Sequence, residues 1–360
     1  MTLQISSTMS FDKNKKYIEE GDTVMLYLGR QSLMTIKVDS SKTHQTKFGA
    51  FSHKELIGKS FGAKAYSKNK KGWIWLLHPT PELWTVTLPH RTQVLYSTDI
   101  SLITLLLELK PGSVVVESGT GSGSLSHAIV RCIKPNGHLY TFDFHQQRVE
   151  KAREEFKDHG FSGYVSCACA DACKDGFGME DGADAVFLDL PAPWDAVPHA
   201  KRALKKSGGR ICSFSPCIEQ VQRTCDVLQQ HRFCEIKVME CLLRTINVQM
   251  VSYPEANLDV LFSQELTTKM SAMEPITSSA EKRVKVNVLE KWTDMETDVT
   301  LAADQVRKDK RRIVGLDNTS KSMNASALTL KNSKEMPGHT GYLTFASTYP
   351  RWLKQREKNY

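Results

Sequence analysis

The run Val114-Val115-Val116-Glu117-Ser118-Gly119-Thr120-Gly121-Ser122-Gly123-Ser124-Leu125-Ser126 decides how this chain is read. Three valines lead to an acid, the chain turns through three glycines, and an apolar stripe at helical spacing follows in Leu125, Ala128, Ile129 and Ile133. Strand, glycine turn and helix is the order in which an α/β unit offers a helix N-terminus, with its free N–H groups, to a ligand. Glycine lacks a Cβ, so the backbone can turn sharply and a ligand can lie directly against it. The run predicts a loop for a nucleotide-type cofactor. Taken alone it also fits a tight strand–helix turn with no ligand.

The glycine spacing narrows the choice. Dinucleotide sites favour G-x-G-x-x-G, which seats a pyrophosphate on the helix N-terminus. Here the order is G-x-G-x-G with Glu117 just before it. An acid there would repel a pyrophosphate but suits a cationic amino-acid end group. S-adenosylmethionine has an ammonium, a sulfonium and no phosphate. Glu117, Gly119, Gly121, Ser122, Gly123 and Ser124 are therefore candidate cofactor contacts.

Three further apolar runs each end in a carboxylate: residues 138–143 at Asp143, 164–171 at Asp171, and 183–191 around Asp189. Read as parallel strands, they line one edge of a sheet, where open α/β folds bind ligands. Asp143 stands where Rossmann-like sites hold ribose hydroxyls, and Asp171 is placed to accept an adenine amino group. A single Asp at a strand end is more often a cap or turn residue. A series of such ends points to a site.

The chain has 360 residues, 40% of them hydrophobic, enough for two ordinary domains. Its net charge of +8 and pI near 8.9 favour a polyanionic partner without demanding one. No apolar run reaches membrane-spanning length, and the N-terminus lacks a signal-peptide pattern. Nine cysteines, mostly inside expected strands and helices (Cys132, Cys167, Cys169, Cys212, Cys225), read as reduced, buried thiols. The spacing of Cys167, Cys169 and Cys173 does not suit zinc, and no metal is expected.

Residues 1–20 read as a loose N-terminus. Residues 21–89 show short alternating runs, including 23–28, 34–38, 72–77 and 83–88, punctuated by Gly, Asn and Ser, and predict a small β-barrel domain. The α/β domain occupies 90–253, opening with a helix from Ser97 and closing with a helix over 216–231 and one long strand over 235–248. Residues 254–337 turn rich in Ser, Thr, Lys and Asp, and read as a disordered insertion with one possible short helix at 286–292. The basic run Lys308-Asp309-Lys310-Arg311-Arg312 reads as a solvated charge cluster or an import signal. Residues 338–347 supply a final strand expected to pair with the strand before the insertion, and 348–360 form a tail.

Several of these segments together resemble a known family. They are Gln93-Val94-Leu95-Tyr96-Ser97-Thr98-Asp99, Glu117 to Gly123, Phe144-His145-Gln146-Gln147-Arg148, Ser213 to Gln222, and His339-Thr340-Gly341-Tyr342-Leu343-Thr344-Phe345. They resemble the catalytic subunit of eukaryotic tRNA (adenine-58-N1)-methyltransferase, over residues 9–253 and 338–347. The resemblance implies a Rossmann-like class I S-adenosylmethionine-dependent methyltransferase domain behind a small N-terminal β-barrel domain. It also implies a non-catalytic RNA-binding partner subunit in a two-plus-two heterotetramer, a tRNA substrate and a nuclear location. By the same resemblance, cofactor contacts fall on Leu95, Ser122-Gly123-Ser124, Asp143, Arg148, Asp171, Ala172 and Asp189. RNA contacts fall on Leu28, Gly29, Arg30, Lys47, Phe48, Trp73, Gln93, Tyr96, Ser97, Ser215 and Pro216. One departure is Asp143, where the family would lead one to expect Glu.

The chemistry implied is methyl transfer from a sulfonium to N1 of adenine. That nitrogen is neutral and needs no deprotonation, so alignment, dehydration and charge placement must do the work. Asp189, followed by Pro191 and Pro193, is the candidate catalytic residue: its carboxylate could accept the exocyclic amino hydrogens and favour charge developing on the ring. Because N1 lies on the pairing edge, the base must be presented unpaired or flipped out. Arg30, Lys47, His90 and Arg91 are candidate phosphate contacts, and Trp194 and Tyr96 are either stacking surfaces or core residues. A protein carboxyl methyltransferase would leave the barrel and the positive charge unexplained. A non-catalytic RNA-binding subunit of the same fold would not need the intact glycine loop and Asp189. A nicotinamide dehydrogenase lacks its third glycine at the required offset.

Overall fold

A computed structural model describes residues 11–12, 14–29, 32–243, 246–254, 324–332 and 341–350. The N-terminal part is mainly β. Strands β1 (Thr23–Gly29), β2 (Ser32–Lys37), β5 (Lys64–Tyr66) and β6 (Trp73–Leu77) form an antiparallel sheet in the order β2-β1-β6-β5, and β3 (Thr43–Thr46) with β4 (Gly49–Ser52) forms a separate hairpin. One core joins sheet and hairpin: Val24, Leu26 and Leu28 from β1 meet Ile74 and Leu76 from β6 and Phe51 from β4.

The other face of β1 is covered too. Met25 packs with Trp84, Leu88 and Val94 in a second cluster. The alternating run 83–88 was expected as a strand but folds as part of α1 (Pro81–Thr85) and the turn after it. Thr80 caps that helix by accepting from the Leu83 N–H at 3.3 Å, and Pro81 at the first position needs no N–H partner. Trp84 and Leu88 are four residues apart, so a helical turn puts both against Met25.

The main sheet has seven strands in the order β12-β15-β11-β10-β7-β8-β9. They are β7 (Val114–Ser118), β8 (His138–Asp143), β9 (Val165–Cys169), β10 (Ala185–Asp189), β11 (Gly209–Ser215), β12 (Cys234–Glu240) and β15 (Tyr342–Thr348). The strands from β9 through β11 run parallel, and β15 lies antiparallel between β11 and β12. Apolar residues of α2 (Ser97–Leu106), α3 (Ser124–Ile133) and α4 (Gln146–Asp158), among them Ile103, Ile129 and Phe156, share one core cluster. Those of α5 (Pro193–Ala203) and α6 (Ile218–Gln230), among them Val197, Ala200 and Leu228, share another. Strand order reverses between β7 and β10, which opens a crevice at their carboxyl ends.

Three expectations need correction. The single strand expected over 235–248 is two strands, β12 and β13 (Ile246–Pro254), in different sheets. The insertion is not wholly irregular: β14 (Asn324–Asn332) pairs antiparallel with β13 over its whole length, and this ribbon is a compact unit of its own. Its alternation Leu328-Thr329-Leu330-Lys331 is short and diluted by polar neighbours, which hid the strand period. The final strand pairs with β12 as expected and with β11 on its other edge. The cysteines are free, but of the described set only Cys212 is fully buried; Cys169, on edge strand β9, and Cys217 are exposed. Arg30, the possible helix at 286–292, the basic run 308–312, His339, Thr340 and the tail beyond Pro350 lie outside the described residues.

Candidate functional site

The glycine loop sits in the crevice in a backbone conformation that residues with a Cβ rarely adopt. Gly119, Gly121 and Gly123 have φ of 99°, 52° and 77°. A Cβ on Gly119 would stand 2.3 Å from the Asp189 carbonyl oxygen, so this glycine lets the end of β10 close against the loop. One on Gly121 would meet the Thr92 hydroxyl at 2.7 Å. Gly123 ends the loop as the residue before α3, whose first residues, Ser124 and Leu125, border the crevice.

Four carboxylates stand at the strand ends, and they are held differently. Glu117 is buried; its Oε2 accepts from Ser126 Oγ at 2.6 Å and Thr141 Oγ1 at 2.7 Å. Burial pushes its carboxyl up to about 7 against the pull of those hydroxyls, with Asp189 and Asp143 adding to the rise. Asp143 accepts from the Gly121 N–H at 3.0 Å and the His145 N–H at 3.0 Å, with Arg148 at 3.8 Å. Asp171 accepts from the Cys173 N–H at 3.1 Å. Asp189 is different: among the described residues no donor reaches its carboxylate, and burial together with the Asp143 charge raises it to about 6.

Two adjoining hollows meet at Gly119 and Asp189. The first is lined by Leu95, Glu117 and the loop from Gly119 to Ser124. The second, wider one is lined by Asp143, Arg148, Asp171 and Ala172. Asp189 borders both, so every cofactor candidate read from the sequence lies on this one trough. Sequence reading missed Thr92, Val94, Phe187, Phe144 and Cys173 on its walls. The segment 91–95 is tied down as a strap: Ser122 Oγ accepts from the Arg91 N–H at 2.9 Å and the Thr92 N–H at 3.2 Å, and Ser124 Oγ donates to the Leu95 carbonyl at 2.9 Å. The serines inside the glycine run were the available signal.

The candidate RNA contacts divide. Lys47 and Phe48 form the tip of the β3–β4 hairpin, which packs against Gly72, where a Cβ would stand 2.2 Å from the Phe48 carbonyl. That brings them beside Trp73, which is 45% exposed, with Lys64 Nζ 4.1 Å from its ring centre and Tyr66 across the strand pair. Gln93, Tyr96, Ser97 and Pro216 are exposed. Leu28 and Ser215 are buried, Leu28 inside the N-terminal core, so their side chains are not available to a ligand. Gly29 ends β1 beside the undescribed Arg30. Arg91 is also withdrawn from the surface: it pairs with Glu155 at 2.6 Å and stands 3.4 Å from the Gly121 carbonyl. Trp194 is half-buried with Arg223 over its ring at 5.3 Å.

Residues 72–348 match the model of a family described as tRNA methyltransferase complex GCD14 subunit. A protein of Dictyostelium discoideum named tRNA (adenine(58)-N(1))-methyltransferase catalytic subunit is 42% identical over 339 residues, covering 93% of this chain and 98% of its own length. Proteins of the same name from Cryptococcus neoformans and Candida albicans are 38% and 35% identical, each covering 95% of this chain, and 84% and 100% of their own lengths. Two solved structures share the fold: a SAM-dependent O-methyltransferase from Thermotoga maritima (TM-score 0.63, 22% identity, 92% of this chain and 94% of that one) and the tRNA (m1A58) methyltransferase TrmI from Aquifex aeolicus (TM-score 0.59, 20% identity, 92% and 98%).

The close approach at Gly119 generates a test. Gly119→Ala adds a Cβ 2.3 Å from the Asp189 carbonyl oxygen at a φ that L-residues rarely adopt. Urea unfolding should show a loss of about 2 kcal/mol or more. A variant as stable as the parent would mean that the loop and β10 do not meet as described.

Proposed function

This chain belongs to the tRNA methyltransferase complex GCD14 subunit family, and we propose that it is the catalytic subunit that methylates N1 of adenosine 58 in the T-loop of tRNA. The observation that carries the reading is the trough itself: a glycine cradle and four strand-end carboxylates gathered at the switch point of the sheet, one of them with no donor among the described residues.

The trough fits S-adenosylmethionine. Gly119 and Gly121 let the loop pass close to Asp189 and Thr92, which keeps its backbone on the wall of the trough, and the acidic lining suits a ligand with two cationic groups and no phosphate. When bound, that cofactor supplies a methyl group on a positively charged sulfur. Glu117 would face its ammonium end, Asp143 and Arg148 its ribose, and Asp171 with Ala172 its adenine. Hydroxyls from Ser126 and Thr141 fix the Glu117 carboxylate, and backbone N–H groups fix Asp143, so both are oriented before any ligand arrives.

Asp189 meets the target base. Among the described residues its carboxylate has no partner to give up, so it can accept the exocyclic amino hydrogens of an adenine whose N1 points along the trough. As positive charge develops on the ring, a nearby carboxylate in a poorly solvated wall stabilises the transition state more than the ground state. The base must leave its stack, at a cost of a few kcal/mol, roughly, that RNA contacts offset. Gln93, Tyr96, Ser97 and Pro216, with Lys47, Phe48 and Trp73 on the N-terminal unit, are the contacts we assign to the RNA. Lys47 serves phosphate, and the exposed aromatic rings stack.

A partner is part of the reading, because the relatives are named as catalytic subunits and the family as part of a complex. On the ribbon, Ile246, Val248 and Met250 alternate along one face of β13 and are more than half exposed. We assign this face to a non-catalytic, RNA-binding partner subunit in a two-plus-two heterotetramer working in the nucleus. Among the described residues no helix is long and apolar enough to cross a membrane.

The direct test is methylation of unmodified tRNA with labelled S-adenosylmethionine, with and without the partner subunit. Label mapped to adenosine 58 only when both chains are present is the expected result; label elsewhere would overturn the target. Asp189→Ala should lower kcat about a hundredfold or more while the protein stays folded. The parent must have Asp189 ionised, so its kcat should fall as pH drops through about 6. A variant with near-normal turnover would remove Asp189 from the mechanism.

Glu117 gives a separate pH signature. Its carboxyl rests near 7, so it is protonated below that pH and charged above it. A cationic ligand should therefore bind more tightly as pH rises from 6 to 8, and Glu117→Gln should flatten that rise in calorimetric titrations. A pH-independent Kd in the parent would separate Glu117 from the ammonium.

A further inference from the structure

Two histidines lie behind the glycine loop, outside the trough. His127 is on the first turn of α3 and is fully buried; His159 follows α4 and is nearly so. His127 Nδ1 is 2.6 Å from the Gly123 carbonyl oxygen, and His127 Nε2 is 2.8 Å from His159 Nδ1. A carbonyl only accepts, so His127 Nδ1 carries a proton and donates it. Its Nε2 is then the acceptor, and His159 Nδ1–H is the donor to it. Both rings are thereby fixed in the same tautomer.

The surroundings hold them neutral. Phe11 stacks on His159 at 4.2 Å between ring centres, and Trp84, Phe156 and Phe161 stand around His127 at 5.5, 5.2 and 5.5 Å. Burial pushes His127 down to about 4 and His159 to about 2. Neither ring charges near neutral pH, so the chain from His159 to His127 to Gly123 persists.

The carbonyl they hold is part of the site. Its peptide continues into the N–H of Ser124, the first residue of α3, and Ser124 lines the first hollow. Carbonyl and N–H of one peptide point in opposite directions, so a donor behind the carbonyl fixes where the N–H in front points and strengthens it as a donor. The same oxygen also takes the His127 backbone N–H at 3.3 Å, so it is held by two groups of one residue.

We propose that His127, oriented by His159, is a positioning residue that aims the Ser124 N–H at the carboxylate end of the cofactor's amino-acid group. The proposal rests on the cofactor reading above. His127 touches no substrate; it acts through the loop. A helix N-terminus favours an anion in front of it, and here the N-terminus has a fixed support from behind.

The test uses the full chain in complex with its partner subunit, titrated with S-adenosylhomocysteine and assayed for tRNA methylation. His127→Phe keeps a ring in the aromatic cluster and removes the donor. It should raise the Kd and the KM for cofactor about tenfold with kcat within about twofold of the parent. His127→Asn, whose amide N–H can reach the same carbonyl, should recover the Kd to within about threefold. Equal weakening by both variants, or parental affinity in the Phe variant, would overturn the proposal by showing that the pair serves packing alone. In the parent complex, NMR of isotope-labelled histidine provides a reading that needs no variant. The His127 Nδ1–H resonance should shift when S-adenosylhomocysteine binds, and an unmoved resonance would also overturn the proposal. If the parent complex does not bind S-adenosylhomocysteine, the cofactor reading fails and the proposal falls with it.

Discussion

Everything in the site depends on a missing Cβ. At Gly119 the loop after β7 passes so close to the end of β10 that an alanine methyl would collide with the Asp189 carbonyl at 2.3 Å. That contact joins the two halves of the sheet at the point where strand order reverses. It also makes one residue, Asp189, the common border of two hollows. A bulkier loop would push the strand ends apart and leave two unrelated clefts. Cofactor and target base need to be collinear for a displacement at carbon, and a shared wall is the simplest way for a protein to achieve it.

Close approach has an electrostatic consequence. Burial raises Glu117 and Asp189, and neighbouring charges add to it, Asp189 and Asp143 on Glu117 and Asp143 on Asp189. The protein offsets part of this with fixed dipoles. Thr120 and Thr141 hydroxyls meet at 2.7 Å, Thr141 and Ser126 donate to Glu117, and Gly121 and His145 N–H groups donate to Asp143. Removing a hydroxyl donor from Glu117 would leave a buried acid less supported, which is costly in a medium of low dielectric. Such a lining is poorly suited to a phosphate and well suited to a cation.

How much of this could be read in advance follows from what kind of interaction each feature uses. The glycine loop was legible because residues with a Cβ rarely adopt its φ angles, and the strands were legible from Val114-Val115-Val116 and Ala185-Val186-Phe187-Leu188. The helix at Pro81 was not, because in the run 83–88 a spacing of four satisfies period two as well as a helical turn, and only Thr80 and Pro81 break the tie. The break between β12 and β13 has neither Gly nor Pro to announce it. The strap over 91–95 was harder to read for a different reason: Ser122 grips backbone N–H groups there, which every non-proline residue has, so the serines of the glycine run were its one signal. Leu28 and Ser215 show the limit of carrying a family's contact residues across by position, since burial decides which atoms a ligand can reach.

The four acids also show why one of them is the better candidate for chemistry. A carboxylate already bonded by the protein is held in place and its charge is partly spent on its partners; Glu117, Asp143 and Asp171 are of this kind. Such groups serve a ligand's ground state, binding it in one orientation. Asp189 has no donor among the described residues, and burial, with the Asp143 charge beside it, raises its pKa. An unsupported carboxylate gains most from a cation placed beside it, and the gain grows as that cation forms. Before methyl transfer the adenine is neutral and offers Asp189 only hydrogen bonds; afterwards it is positively charged. The interaction therefore strengthens along the reaction, which is the property that separates a catalytic group from a binding one.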